Sequence, residues 1–111
     1  MCIRDRINSI NANDFNSLYK AKPNKILLID VRENEEFSTS AIEGSISIPL
    51  SHLNQESDLK FIQKESLRKE VFTICKSGKR SEKASTILSQ FKIHSRSIEG
   101  GIEKVKKMLF N

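Results

Sequence analysis

The stretch Val71-Phe72-Thr73-Ile74-Cys75-Lys76-Ser77-Gly78-Lys79-Arg80-Ser81, running on through Glu82-Lys83-Ala84-Ser85-Thr86-Ile87-Leu88, decides how this chain is read. A short apolar run ends in a cysteine, a polar loop carries Gly78 and Arg80, and a helical pattern begins at Ser81. Ala84, Ile87, Leu88 and Phe91 recur at i, i+3, i+4 and i+7, the apolar stripe of a helix laid on a core. A strand, a cysteine loop and a helix N-terminus in that order favour a thiolate. The helix start offers unpaired backbone N–H groups and a partial positive charge. Lys76, Lys79 and Arg80 add cations within a few residues. Lowering a thiol from its ordinary pKa of about 8.5 by about two units takes roughly 2.7 kcal/mol of preference for the anion. Amides, helix terminus and cations together can supply that.

Outward from this stretch, strand and helix patterns alternate. Residues 26–29, Ile-Leu-Leu-Ile, form a continuous apolar run suited to a strand buried on both faces of a parallel sheet. Asp30-Val31-Arg32 follows at its C-terminal end, where open α/β sheets place functional groups. Asn13-Asp14 caps a helix carrying Phe15, Leu18 and Tyr19, which Pro23 stops. Asn34-Glu35-Glu36-Phe37 reads as a helical turn with Phe37 in the core. Ser45-Ile46-Ser47-Ile48 alternates as a strand halted by Pro49. Residues 58–67 carry Leu59, Ile62 and Leu67 on a loose helical pattern expected at the surface. Residues 7–10 read as an edge strand and 95–98 as a short strand. Gly100-Gly101 is a turn, and Ile102, Val105, Met108 and Leu109 mark a last helix. This alternation implies an α/β domain with a mainly parallel sheet, expected to be five-stranded with helices on both faces.

The chain has 111 residues, enough for one core but not two. With 37% hydrophobic and 30% charged residues, it has a globular rather than a disordered composition. The net charge of +5 comes without a compact basic block or many aromatics, so a solvated basic surface that attracts small anions is favoured over nucleic acid. No apolar run approaches the roughly 20 residues that span a bilayer, so no membrane partner is expected. Cys2 and Cys75 form no Cys-x-x-Cys pair, and His52 and His94 stand alone, so no zinc spacing appears. A reducing cytoplasm with Cys75 free is the default. Met1-Cys2-Ile3-Arg4-Asp5 matches one reading frame of the transposon mosaic end used in sequencing libraries. The expectation is a non-native or disordered stretch over 1–6 and a single domain over 7–111. That domain is then expected to be the C-terminal part of a longer chain.

Four segments together resemble the rhodanese-like domain. Asp30-Val31-Arg32 with Glu36-Phe37 resembles the family's first signature, and Gly44-Ser45-Ile46-Ser47-Ile48-Pro49 the second. Cys75-Lys76-Ser77-Gly78-Lys79-Arg80-Ser81 resembles the active-site loop, and Glu99-Gly100-Gly101-Ile102 the closing signature. The sequence departs from the family where Ser40-Ala41 replaces a common Gly-His and Val105 a common tryptophan. Both are read as packing changes that leave the loop untouched.

The resemblance implies a sulfurtransferase. Cys75 would attack sulfane sulfur, hold it as a persulfide and pass it to a thiol, cyanide or sulfur-carrier acceptor. Lys76, Ser77, Gly78, Lys79, Arg80 and Ser81 would form the substrate-binding loop, the lysines favouring an anionic donor such as thiosulfate. Gly78 admits a backbone conformation closed to other residues. Arg80 either steadies the loop through carboxylate hydrogen bonds or binds the donor. Asp30 and Arg32 support the site or form a structural ion pair. No metal or bound cofactor is called for.

Four residues separate Cys75 from Arg80, whereas phosphatases and arsenate reductases of this fold use five. The shorter loop resembles the sulfur-handling branch. A non-catalytic binding module is the other alternative. Lys83-Ala84 after the loop is similar to rhodanese domains fused behind adenylyltransferases, which implies a sulfur-carrier protein or an adenylyltransferase domain as partner in a sulfur relay.

Overall fold

A computed structural model describes residues 9–109, and β2 (Ile26–Asp30) is an interior strand of its sheet. The strand follows a 3₁₀ turn at Pro23–Lys25 and is buried along nearly its whole length, as its unbroken apolar run requires. It pairs in parallel with β4 (Glu70–Ile74) on one side and β3 (Ile46–Ser47) on the other. Beyond β4 come β5 (Ser95–Ile98) and the edge strand β1 (Ser9–Ile10), giving the order β1-β5-β4-β2-β3 with every pairing parallel.

Helices cover both faces. On one, α3 (Glu56–Ser66) and α4 (Lys79–Gln90) set Leu59, Ile62, Ala84 and Leu88 against Leu27, Ile29, Val31 and Val71. On the other, α1 (Ala12–Ala21) and α5 (Gly101–Leu109) set Phe15, Ile102 and Val105 against Leu28, Phe72 and Ile98. Phe15 meets Phe72 edge to face at 5.2 Å between ring centres, a favoured aromatic geometry. The six-residue α2 (Asn34–Thr39) follows the end of β2. No helix among the described residues is long and apolar enough to cross a membrane.

Several local readings change, the first being the cap of α1, which is Asn11 rather than Asn13-Asp14. Residues 56–66 do not lie on the surface: Leu59 and Ile62 are in the core, and Ile62 is wholly buried. Their pattern is loose because only this i, i+3 pair points inward. Leu67 lies past the helix end and is 84% exposed. Phe37 is only half-buried, since α2 is too short to lie across a sheet face. Phe91, the last residue of the apolar stripe on α4, is exposed, and the buried face is completed instead by Ser81 and Ser85. The readings placed on Cys2, on 1–6 and on the start of the 7–10 strand lie outside the described residues.

From β2 the chain steps outward to β3, and from β4 it steps the opposite way to β5. The C-terminal ends of β2 and β4 therefore flank a topological switch point, where an open α/β sheet forms its crevice. Asp30 and Cys75 stand at those two ends.

Candidate active site

Cys75 directly follows β4, and its sulfur serves as the cap of α4. A helix N-terminus is ordinarily capped by a side-chain oxygen that accepts from the N–H groups of the first turn. The capping position here is Gly78, which has no side chain and sits at φ +109°, a left-handed conformation that favours glycine. The helix accordingly begins at Lys79, two residues before the Ser81 start expected from the sequence. Cys75 Sγ takes the acceptor's place. The Gly78 N–H donates to it at 3.0 Å and the Ser81 N–H at 3.4 Å, with the Ser81 hydroxyl at 3.6 Å.

Burial pushes the Cys75 thiol up. The hydroxyl and amide of Ser81 and the amides of Gly78 and Ser77 outweigh that effect and hold it below the ordinary thiol value. Hydrogen-bond donors lead in holding the negative charge, and the charge of Arg80 interacts favourably with it. The side chain is 0% exposed, so the sulfur lies beneath the loop surface.

The loop is clamped from behind by the turn after β5. The Ile102 N–H donates to the Cys75 carbonyl at 2.8 Å. Gly101, at φ +72°, lies so close that a Cβ there would stand 2.0 Å from the Lys76 carbonyl oxygen. This contact explains the Gly-Gly of the fourth signature in physical terms.

Arg80 forms a two-pronged pair with Glu36 of α2, at 2.8 and 3.1 Å. Glu36 also accepts from the Glu33 N–H in the capping box of α2. Chiefly through its hydrogen bonds with Arg80, Glu36 is lowered to about 2. The sequence places Glu36 in a helical turn and in the first signature without giving it a partner. As the partner of Arg80 it could have been found by asking which carboxylate follows the neighbouring strand end.

Asp30 and Arg32 form a separate buried pair, 2.8 Å between Arg32 Nη2 and Asp30 Oδ2. Arg32 also donates its backbone N–H to Asp30 and a guanidinium N–H to the Ser40 carbonyl. The described structure gives this pair no hydrogen bond to the cysteine loop. Lys76, Ser77 and Lys79 are exposed around the loop. A cleft of about 430 Å³ adjoins it, lined by Arg32, Glu35, Glu36, Thr39, Ser40, Lys76, Ile102 and Glu103.

A cluster of buried hydroxyls beneath the sulfur escaped the sequence reading. Thr73 donates to the Ser81 carbonyl at 2.9 Å and lies 2.9 Å from Ser85, which accepts from Ser95 at 2.8 Å. Ser97 lies 2.7 Å from the Ser81 hydroxyl. Spacing was the available signal: Ser81 and Ser85 share a helix face at i, i+4, and Ser95 and Ser97 share a strand face at i, i+2.

The rhodanese-like domain model matches residues 11–108. The adenylyltransferase and sulfurtransferase MOCS3 of Drosophila virilis is 36% identical over 97 residues, covering 84% of this chain and 21% of that protein. A Schizosaccharomyces pombe protein, provisionally named a mitochondrial thiosulfate sulfurtransferase, is 32% identical over 76% of this chain and 68% of its own length. The chain thus spans about a fifth of the first relative and about two thirds of the second. A rhodanese-related protein from Thermoplasma volcanium superposes with a TM-score of 0.74 at 34% identity, covering 91% of this chain and 92% of that one. With its parallel sheet, its cysteine loop at the switch point and a family match over nearly its whole described length, the chain belongs to the rhodanese-like domain family.

Proposed function

We propose that this domain is a sulfurtransferase that carries sulfane sulfur as a persulfide on Cys75. One observation carries the reading: the sulfur stands where a helix cap would, with the Gly78 and Ser81 amides donating to it and the Ser81 hydroxyl beside it. Such a sulfur is shifted toward the thiolate, the nucleophilic form. With thiosulfate, the Cys75 thiolate attacks the outer, sulfane sulfur. The S–S bond of thiosulfate breaks and sulfite leaves with its electron pair. Cyanide then attacks the outer sulfur of the persulfide, thiocyanate departs, and the thiolate returns. No external oxidant or reductant is needed. Membership of a family with relatives named sulfurtransferases supports sulfur transfer as the class of reaction.

Lys76, Ser77 and Lys79 form the rim that meets an anionic donor. Arg80 steadies the loop through Glu36 rather than gripping the donor, and Asp30 with Arg32 fixes the neighbouring strand end. The physiological acceptor on this reading is a sulfur-carrier protein or an attached adenylyltransferase domain in the cytoplasm, as the paired name of the Drosophila relative suggests. A thiosulfate:cyanide assay on the wild type and Cys75→Ser tests the proposal. The wild type is expected to form thiocyanate and to gain 32 Da (the mass of one sulfur, about one S atom per chain) on Cys75 after thiosulfate treatment. Equal turnover in the two proteins, or an unmodified Cys75, would overturn it and leave a binding module.

A further inference from the structure

We propose that Ser97, on β5 and outside the cysteine loop, is a positioning residue that sets the direction of the Ser81 hydroxyl and so holds the charge on Cys75. The inference rests on the reading of Cys75 as a working thiolate and extends it to a residue two layers from the sulfur.

The hydrogen atoms can be counted. Ser81 Oγ has three neighbours: the Gly78 carbonyl at 3.0 Å, Ser97 Oγ at 2.7 Å and Cys75 Sγ at 3.6 Å. It has a single proton to give and two lone pairs to receive. Ser97 Oγ has Ser81 Oγ as its one side-chain partner among the described residues, and both residues are buried. If Ser81 donated to Ser97, the Ser97 proton would be left unpaired in the interior. Ser97 is therefore the donor.

With that direction fixed, Ser81 has two settings. When Cys75 is a thiol, its S–H donates to Ser81, Ser97 donates to Ser81, and Ser81 donates to the Gly78 carbonyl. When Cys75 is a thiolate, the Ser81 hydroxyl rotates to donate to Sγ, still accepting from Ser97. Gly78 O keeps the Glu82 N–H at 3.1 Å. Both states are satisfied and differ by one hydroxyl rotation.

Removing the Ser97 hydroxyl affects the two states unequally. The thiol state still fills one Ser81 lone pair with the S–H. The thiolate state leaves the Ser81 oxygen with no donor at all, a buried acceptor stripped of its partner. The loss falls on the anion. Ser97 can reach Ser81 because it pairs with Thr73 across the β4–β5 ladder, which places both hydroxyls on the face covered by α4. An apolar residue would be the ordinary choice on this covered strand.

The test is a titration of the Cys75 thiolate by its absorbance near 240 nm. It uses the full chain, with Cys75→Ser subtracted to remove Cys2 and Tyr19. Ser97→Ala is expected to raise the apparent pKa by about half a unit, a roughly threefold loss of thiolate on the acid side. Ser95→Ala removes an equally buried hydroxyl that bonds to Ser85 and does not touch Ser81. It is expected to leave the titration in place while lowering the urea midpoint comparably. Ser97→Thr, which keeps the hydroxyl, is expected to titrate with the wild type.

An unmoved Ser97→Ala curve, an equal shift in Ser95→Ala, or a threonine variant that behaves like alanine would overturn the proposal. No substrate enters the measurement. A normal shift in a protein inactive toward thiosulfate would therefore remove sulfur transfer and keep this role, and the converse result would do the reverse.

Discussion

The floor and the rim of the cysteine loop share one stretch of sequence and hold charge by different physics. The floor is buried. The Gly78 and Ser81 amides and the Ser81 hydroxyl meet Cys75 Sγ, and the Gly101 turn meets the Cys75–Lys76 backbone, at fixed short distances. The rim is solvated. Lys76 and Lys79 are exposed, and the Glu36–Arg80 pair keeps 34% of each side chain open to water. Donors in the floor act on the sulfur at full strength, because nothing screens them. Charges on the rim act through water and salt, so they bear on approach and loop anchoring more than on the state of the sulfur. Substitutions in the two regions are accordingly expected to differ in size and in kind.

The largest effect is expected from the floor. In Gly101→Ala, a methyl group would stand 2.0 Å from the Lys76 carbonyl oxygen and 2.6 Å from that of Cys75, at a positive φ. Backbone cannot move aside as a flexible side chain can. Left-handed strain and overpacking together are expected to cost about 3–5 kcal/mol, a large share of the stability of a domain this size. Urea unfolding reads that loss directly. A midpoint shift worth less than about 1 kcal/mol would mean that the turn and loop can separate freely, and the clamp would have to be abandoned.

The Glu36–Arg80 pair is expected to matter less, and its sign with pH is fixed. The folded pKa of Glu36, about 2, lies below the ordinary 4.5. Its contribution is fully present above about pH 4.5 and is lost as the pH falls through about 2. Because a third of each side chain is exposed, solvent screening reduces the contribution to about 1 kcal/mol or less. Glu36→Gln should therefore fall below the wild type in chemical unfolding at pH 7 by that amount, and the two curves should converge near pH 2. A gap that stays constant with pH would place the role of Glu36 in packing.

Legibility in the sequence followed the same division. Backbone-driven features stood out because they leave a local mark: the unbroken apolar run of 26–29 for a strand covered on both faces, Gly78 for a loop conformation closed to other residues, and the cysteine between strand and helix. The sequence sets amides, helix terminus and cations side by side, and in the structure the hydrogen-bond donors lead. Charge is visible in a sequence, whereas the aim of an N–H group is visible only once the loop is folded. For Arg80 the sequence offers either a carboxylate partner or the donor, and only the fold supplies the partner, Glu36 on α2. Ser85, Ser95 and Ser97 carry no role in the sequence reading for a related reason. A serine is usually solvated, and only the packing of α4 onto the sheet turns five hydroxyls inward.

The smallest expected effect belongs to Lys76 and Lys79, and it separates the rim from the floor most cleanly. Neither forms an ion pair among the described residues, and neither is a cause of the Cys75 shift. Their charge is free to attract a dianionic donor without altering the sulfur. Lys76→Ala and Lys79→Ala should each raise the KM for thiosulfate by about two- to threefold at low ionic strength, as exposed charges do. The difference should fade at about 0.5 M salt, where the Debye length is only about 4 Å. The kcat and the thiolate titration should stay with the wild type, because the donors that hold the anion are untouched. A fall in kcat at unchanged KM would move these lysines from the rim into the chemistry. The division between rim and floor would then fail at the residues that flank it.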